Sequence, residues 1–463
     1  MTFEELVGHV QEEGIEWVDV RACDLWGRLK CISVPAAQLS PDLVTRGIGV
    51  DASNYGLAPV EESDMVLLPD LETAVVDATR SPASLVLLCD LAAPGEGPLP
   101  WSPRAVARAA ERFLREAGIA DQARIKVELE FYLFDSVLLE DGPLCQGAEI
   151  VPAEGLSGLV EEALPGARSA YHAGGPEDRG RALRERSCAA LAEWGIPVCY
   201  HHHEAGGLGQ MEIELDFGGL VAAADWVVLV RDLIARLAAD EGKVACFLPK
   251  PLADQPGSGM HVHQYLTRGG QNLFSGEEGL SELALHYVGG LLAHGRALSA
   301  LVSPSTNSYR RLRPGYEAPV QLAFGPANRT AAVRVPGYVT RQDAARVELR
   351  TPDLTCNPYL ALGACLMAGL DGIREGIDPR ARGWGPWSGN LYDLPRAKAR
   401  AIHCLPRSLE EAVDALRADS DFLAVGGVFP EEVVELWLAR KREEADQVAL
   451  RPHPYEFQLY SSW

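Results

Sequence analysis

The chain has 463 residues, 47% apolar and 23% charged, the balance of a soluble globular protein long enough for two or three domains. Its 65 acidic side chains outnumber 42 basic ones and leave a formal charge of −23, which argues against nucleic-acid binding, because phosphate recognition needs a basic surface. No apolar run reaches the ~18 residues of a membrane span, and the acidic, amphipathic start MTFEELVGHVQEEG does not read as a secretory signal.

In chain order, WVDVRACDLWGRLKCISVP predicts a hairpin: Val18, Val20 and Ala22 alternate, a turn falls at DLWGR, and Leu29, Cys31 and Ile32 return. SLVLLCDL is a further strand, and the Pro- and Gly-rich AAPGEGPLPWSPR marks a domain boundary. Ser102 and Pro103 open a helix with Ala105, Val106, Ala109 and Phe113 at helical spacing. Beyond it strands such as IKVELEFYLF alternate with helices such as DRGRALRERSCAALAEW. GIDPRARGWGPWSGN reads as a loop, and the C-terminal part is helical in pattern. The ten cysteines stand singly, with no CxxC pair, as expected of reduced packing thiols in a cytoplasmic protein. The expectation is a small β-rich domain followed by a large α+β one.

Side chains two apart on a strand share a face. Glu128 and Glu130 therefore point one way, and Val127, Leu129 and Phe131 the other. A lone Glu-x-Glu reads as a solvated edge. The device recurs, however, in His202 with Glu204, Glu212 with Glu214, His261 with His263, and Arg346 with Glu348 and Arg350. Carboxylates side by side repel unless a cation lies between them or a proton is shared. Carboxylate-rich sets with an occasional imidazole suit Mg²⁺ or Mn²⁺ better than zinc, and paired ions clamp transferring phosphate.

Arg311, Arg313, Arg329, Arg334, Arg346 and Arg350 cluster in an otherwise acidic chain, and guanidinium forks grip carboxylates and phosphates at two points. The glycines of PGSGMH let a ligand approach the backbone, but the spacing is not that of a P-loop. Taken alone, these residues point to an ATP- and Mg-dependent transferase or ligase.

The segments DLWGRLK, ESDMVLLPD, VELEFYLFD, HHHEAGGLGQMEIE, FLPKPLADQPGSGMHVH, SPSTNSYRRLRPGYEAPV, NRTAAVRVP, RVELRTPD, NPYLA, NLYDLP and HPYEFQLY, in this order, resemble the glutamine synthetase family in its bacterial type I form. The resemblance implies an α+β protein: an N-terminal β-grasp domain over 1–98, then a catalytic domain over 99–463 built on an open antiparallel β-barrel surrounded by helices. It implies a cytoplasmic dodecamer of two hexameric rings with active sites between subunits. The reaction implied is glutamine formation from glutamate and ammonia through γ-glutamyl phosphate, with ATP as co-substrate and two or more Mg²⁺ or Mn²⁺ ions.

Residue by residue, the resemblance places one metal on Glu130, Glu204 and Glu212 and a second on Glu128, His261 and Glu348. Arg329 and Arg334 match phosphate-contacting arginines, and Arg346, His263 and Phe217 match residues near the nucleotide. Arg311 and Arg350 match those gripping glutamate, with Gly257 as a backbone contact. Glu317 matches a flap glutamate that closes over the acyl phosphate and takes a proton from the adduct. Asp51 matches the aspartate that a neighbouring subunit lends to an ammonium pocket completed by Tyr171 and Glu204.

Three departures stand out. Pro256 replaces an asparagine before GSGMH, Asp343 replaces a lysine near ATP, and DASN at Asp51–Asn54 replaces DGSS. Tyr392 matches a tyrosine that some members adenylylate. Two rival readings follow: a γ-glutamyl ligase for a larger amine (polyamine, ethanolamine or alkylamine), and a non-catalytic assembly protein, which predicts missing metal ligands.

Overall fold

The computed structural model describes residues 2–142, 144–154, 170–277, 279–315, 318–338, 341–394 and 402–461. Glu317 lies outside them.

The N-terminal part is a six-stranded sheet. Its strands are β1 (Trp17–Cys23), β2 (Leu29–Pro35), β3 (Ile48–Asp51), β4 (Asp64–Pro69), β5 (Val75–Asp77) and β6 (Ser84–Ala92). They run in the order β2-β1-β6-β4-β3, with β5 also on β6. β1 and β2 form the expected hairpin, paired from Trp17↔Pro35 to Cys23↔Leu29. The simple inside–outside alternation of β1 does not hold, because Asp19 and Arg21 on its other face are buried too. That face is covered by the helix Leu220–Asp240, whose Asp232 meets the Arg21 guanidinium at 3.0 Å, while Asp19 meets it at 2.8 Å. Charge pairing replaces solvent there.

The helix Pro103–Glu116 starts at Pro103 as expected, though the Ser102 hydroxyl donates back to Leu99 O (2.9 Å) rather than capping the helix. Its buried Arg104 joins both sheets' supports: Nη2 reaches Asp70 at 2.8 Å and Asp225 at 2.9 Å, and Nη1 reaches Asp90 at 3.2 Å.

The larger part is built on an eleven-stranded sheet among the described residues. Its strands are β7 (Gln122–Asp141), β8 (Gln146–Pro152), β9 (Val198–His203), β10 (Gln210–Leu215), β11 (Gly218–Gly219), β12 (Val244–Cys246), β13 (Met260–Arg268), β14 (Gln271–Asn272), β17 (Gln321–Pro326), β18 (Ala331–Val335) and β19 (Val347–Leu349). β15 (Ser275–Gly276) and β16 (Gly279–Leu280) pair separately. The main path is β17-β18-β19-β13-β7-β10-β9, antiparallel except for the parallel β17–β18 pair. Apolar side chains on one face of this curled sheet (Val127, Leu129, Phe131, Ile213, Val262) are fully buried against helices. Behind them the helix Pro358–Arg374, capped by the Asn357 carboxamide on Tyr359 and Leu360 N–H, lies against Glu282–Ala293. Glycines make that approach possible: a Cβ on Gly290 would collide with the Ala368 carbonyl.

Candidate active site

The inward face of β7 reads Lys126, Glu128, Glu130, Tyr132, since alternate residues share a side. Register then determines what stands beside each. β10 sets Glu212 opposite Glu130 and Glu214 opposite Glu128. β9 sets His202 opposite Glu212. On the other flank β13 sets His261 opposite Glu128 and His263 opposite Lys126. β19 sets Glu348 opposite His263, and β18 sets Arg334 opposite Glu348. Side chains from positions 126 to 348 thus form one ladder across six strands.

Ligand-capable atoms converge within 4.8 Å in three overlapping groups: His202–Glu204–Glu212, Glu128–His263–Glu348 and Glu128–Glu212–Glu214. The first joins Glu204 and Glu212 through His202 rather than Glu130, whose Oε2 accepts the Gly259 N–H at 2.8 Å. In the second, the imidazole beside Glu348 is that of His263, with Nε2 2.7 Å from Glu128 Oε1. His261 turns Nδ1 to Glu128 Oε2 (2.7 Å) and sets Nε2 3.4 Å from Arg311.

The two ends of the ladder differ in charge. Burial and the neighbouring Glu128, Glu204 and Glu130 carboxylates push the Glu212 carboxyl well above the usual range, and burial with Glu130 pushes Glu204 up to about 7. Burial works the same way on Glu128 and Glu348, but there hydrogen-bonding and charged neighbours outweigh it. His263 and His261 hold Glu128 well below its ordinary value, and Arg350 and His263 hold Glu348 down to about 2. Glu348 is pinched between the Arg334 guanidinium and Arg350 Nη1, the latter at 2.5 Å. A buried set of oxygens and imidazole nitrogens short of positive charge at the Glu204–Glu212 end fits a hard divalent cation such as Mg²⁺ or Mn²⁺.

Glu128, Glu130, His202, Glu204, Glu212 and His261 wall a cavity of about 650 Å³ that also brings in Tyr171, Gly257, Arg311, Arg329, Arg334 and Arg350, whereas His263 and Glu348 stand outside its lining. Arg311 is buried, with its guanidinium on the Thr351, Pro352 and Arg350 carbonyls at 3.0, 3.2 and 3.0 Å. Gly257 has no room for a side chain, since a Cβ would sit 2.5 Å from Pro249 O and 2.8 Å from Arg311 Cγ. Just behind the wall, Arg346 packs between Phe217 and Tyr338 (5.8 and 5.6 Å to the ring centres), with Nε 3.4 Å from His263 Nδ1.

Asp51 is not in this cavity. It ends β3 at the exposed edge of the N-terminal sheet, where Ser53 N–H and Oγ and Asn54 Nδ2 donate to its carboxylate at 2.9, 2.6 and 2.8 Å. Those donors hold it below the ordinary aspartate range. Asp343 is likewise exposed, paired with Arg341. The Tyr392 hydroxyl donates to the Ala318 carbonyl.

Several site residues escaped the sequence reading. Tyr132 donates to Pro256 O at 2.7 Å and Gln210 Nε2 to Gly257 O at 3.0 Å, so the PGSG loop is held by its carbonyls. Lys126 pairs with Glu214 and lies 5.8 Å from the Phe217 ring centre. Each continues an alternation already visible from Glu128–Glu130 or Glu212.

Residues 100–460 match the family described as "Glutamine synthetase, catalytic domain", and residues 14–94 match "Glutamine synthetase, beta-Grasp domain". The chain is 39% identical over 477 residues to a glutamine synthetase of Salmonella typhimurium, covering 100% of both chains. It is 42% identical over 470 residues to one from Frankia alni, covering 99% and 98%. A Plasmodium falciparum glutamine synthetase shares the fold (TM-score 0.88, 24% identity, 99% of both chains), and a GmaS/ADP complex matches with TM-score 0.83 at 28% identity over 99% of both. Full-length identity of this order, together with a metal-type carboxylate ladder on the matching fold, places the chain in the glutamine synthetase family of ligases.

Proposed function

We propose that the chain is an ATP-dependent ligase that forms glutamine from glutamate and ammonia through γ-glutamyl phosphate at a two-metal site. The supporting observation is the convergence of Glu128, Glu130, Glu204, Glu212 and His261 with Arg311, Arg329, Arg334 and Arg350 on one cavity, Glu348 being grouped with Glu128 through His263. An anionic substrate at the arginine side and a cationic one at the Glu204 side fit that charge separation.

In this reading Glu130 belongs with Glu204 and Glu212, and His261 with Glu128 and Glu348, as metal ligands. When bound, Mg²⁺ or Mn²⁺ supplies positive charge to the transferring phosphate. Arg311, Arg350 and the Gly257 backbone seat glutamate, whose γ-carboxylate oxygen attacks the terminal phosphorus of ATP; the bond to ADP breaks. Arg329 and Arg334 neutralise the moving phosphoryl group, and Arg346, His263 and Phe217 hold the nucleotide. Asp51 of a neighbouring subunit takes a proton from ammonium bound by Tyr171 and Glu204. The freed ammonia attacks the acyl carbon, phosphate leaves, and Glu317 accepts the remaining proton while excluding water. The assembly is a cytoplasmic dodecamer with domains over 1–98 and 99–463.

Phosphate release with ATP and glutamate across a panel of amines tests this. Ammonium at the highest kcat/KM is the expected result. Pro256, which lacks an amide donor beside Gly257, favours a second reading with a larger amine; an alkylamine preferred at far lower concentration establishes it instead. Absence of glutamate-dependent turnover with every amine contradicts both.

A further inference from the structure

The amine end of the cavity has two walls from different chain segments: Glu204 just beyond β9, and Tyr171 on the segment that follows residue 170. Tyr171 stacks on His172 (ring centres 4.0 Å apart) and meets His202 edge-on at 5.4 Å. The buried His203 touches both walls. Its carbonyl accepts the His172 N–H at 3.0 Å, which holds the Tyr171–His172 pair against the end of β9. Its ring Nδ1 lies 2.6 Å from the Glu204 carbonyl oxygen.

A carbonyl oxygen only accepts, so Nδ1 carries the hydrogen. On the far side Nε2 lies 2.5 Å from Glu154 Oε2, with one proton between them. Glu154 Oε1 in turn accepts the Arg179 N–H at 3.1 Å. The ring is 2% exposed and has no freedom to turn without breaking both contacts. The Glu204 N–H is fixed on Gln210 O at 2.9 Å, and its Oε2 on the Ala205 N–H at 2.7 Å. The His203 ring fixes the remaining backbone group of Glu204.

We propose that His203 is a positioning residue that sets the separation of Glu204 from Tyr171 and thereby the size of amine the site accepts. The proposal rests on the reading of Glu204 and Tyr171 as the amine pocket. It gives the third histidine of HHHE a role distinct from a ligand: the ring touches no substrate and acts through the Glu204 backbone.

Amide side chains separate this role from a merely structural one. Asparagine places its Nδ2 near the position of Nδ1 and keeps the donation to Glu204, whereas glutamine places its Nε2 near the position of the ring Nε2 and keeps only the Glu154 contact. Both changes remove one buried hydrogen bond and lower stability alike. In the full-length enzyme, His203→Gln is expected to raise the apparent KM for ammonium about tenfold. It leaves the KM for glutamate and ATP unchanged and narrows the preference for ammonium over methylamine. His203→Asn is expected to stay near the wild type in all four measures. Equal effects of the two variants, or a parallel rise in every KM, overturn the proposal. If either variant does not fold, Glu154→Gln decides: it leaves the Glu204 contact in place, so an unchanged ammonium KM supports the proposal and a tenfold rise contradicts it. A wild type with no turnover on any amine defeats the underlying reading and this inference with it; wild-type turnover with indifferent variants defeats this inference alone.

Discussion

Glu204 and Glu212 differ from Glu128 and Glu348 in what surrounds them, and that difference carries a sign. A carboxyl raised to about 7, as at Glu204, lends stability that is complete below the ordinary value of ~4.3 and is lost as pH rises through 7. Glu348, held down to about 2, does the reverse, and its contribution is lost only in strong acid. Metal-stripped protein is therefore expected to lose thermal stability between about pH 4.5 and 7.5, with Mn²⁺ abolishing the loss and binding with proton release. Melting scans against pH with EDTA or Mn²⁺ check this; parallel curves contradict it. At Gly257, Ala would push against Pro249 O and displace Arg311. We expect Gly257→Ala to cost about 1–3 kcal/mol in stability and to raise the KM for glutamate with little change in the KM for ATP.

At the scale of elements, Arg104 ties the turn after β4, β6 and the helix Leu220–Asp240 through three carboxylates. Arg104→Met would leave the buried Asp225 carboxylate with only the Tyr359 hydroxyl, and Asp70 and Asp90 with only Arg108 as a cationic partner. A loss of about 3–5 kcal/mol by denaturant titration is expected, with Mn²⁺ affinity preserved, since no atom of the cluster reaches the ladder. Strand alternation made the Glu128–Glu130, Glu212–Glu214 and His261–His263 pairs legible, because period-two placement needs only neighbouring residues. The β1–β2 hairpin was legible for the same reason. Register was not: nothing within β7 says that Glu130 faces Glu212 on β10 while Glu128 faces His261 on β13. His202 joins a ligand group because β9 sets it opposite Glu212, and His263 because β19 sets Glu348 opposite it. Buried Asp19 and Arg21 were missed because their cover is a helix some 200 positions away in sequence, which local periodicity cannot report.

At the scale of the molecule, the cavity of one chain holds Tyr171 and Glu204 but not Asp51, which stands at the edge of the N-terminal sheet. The proposed function requires Asp51 to come from another copy. Asp51→Ala and Glu212→Gln enzymes are each expected to be nearly inactive with ammonium. Subunits of both variants, co-expressed, should assemble some sites with Asp51 and Glu212 both intact and recover activity well above the sum of the parents. Recovery no greater than that sum would contradict the supply of Asp51 by another copy.

The central claim is that residues 126–348 assemble a cation-binding ladder, and manganese anomalous diffraction from Mn²⁺-soaked crystals tests it most directly. The account predicts two peaks in the cavity, one bounded by Glu204 and Glu212 and one by Glu128 and Glu348, with the first lost in Glu212→Gln. A map with no peak among these side chains, or peaks only at surface carboxylates, would contradict it.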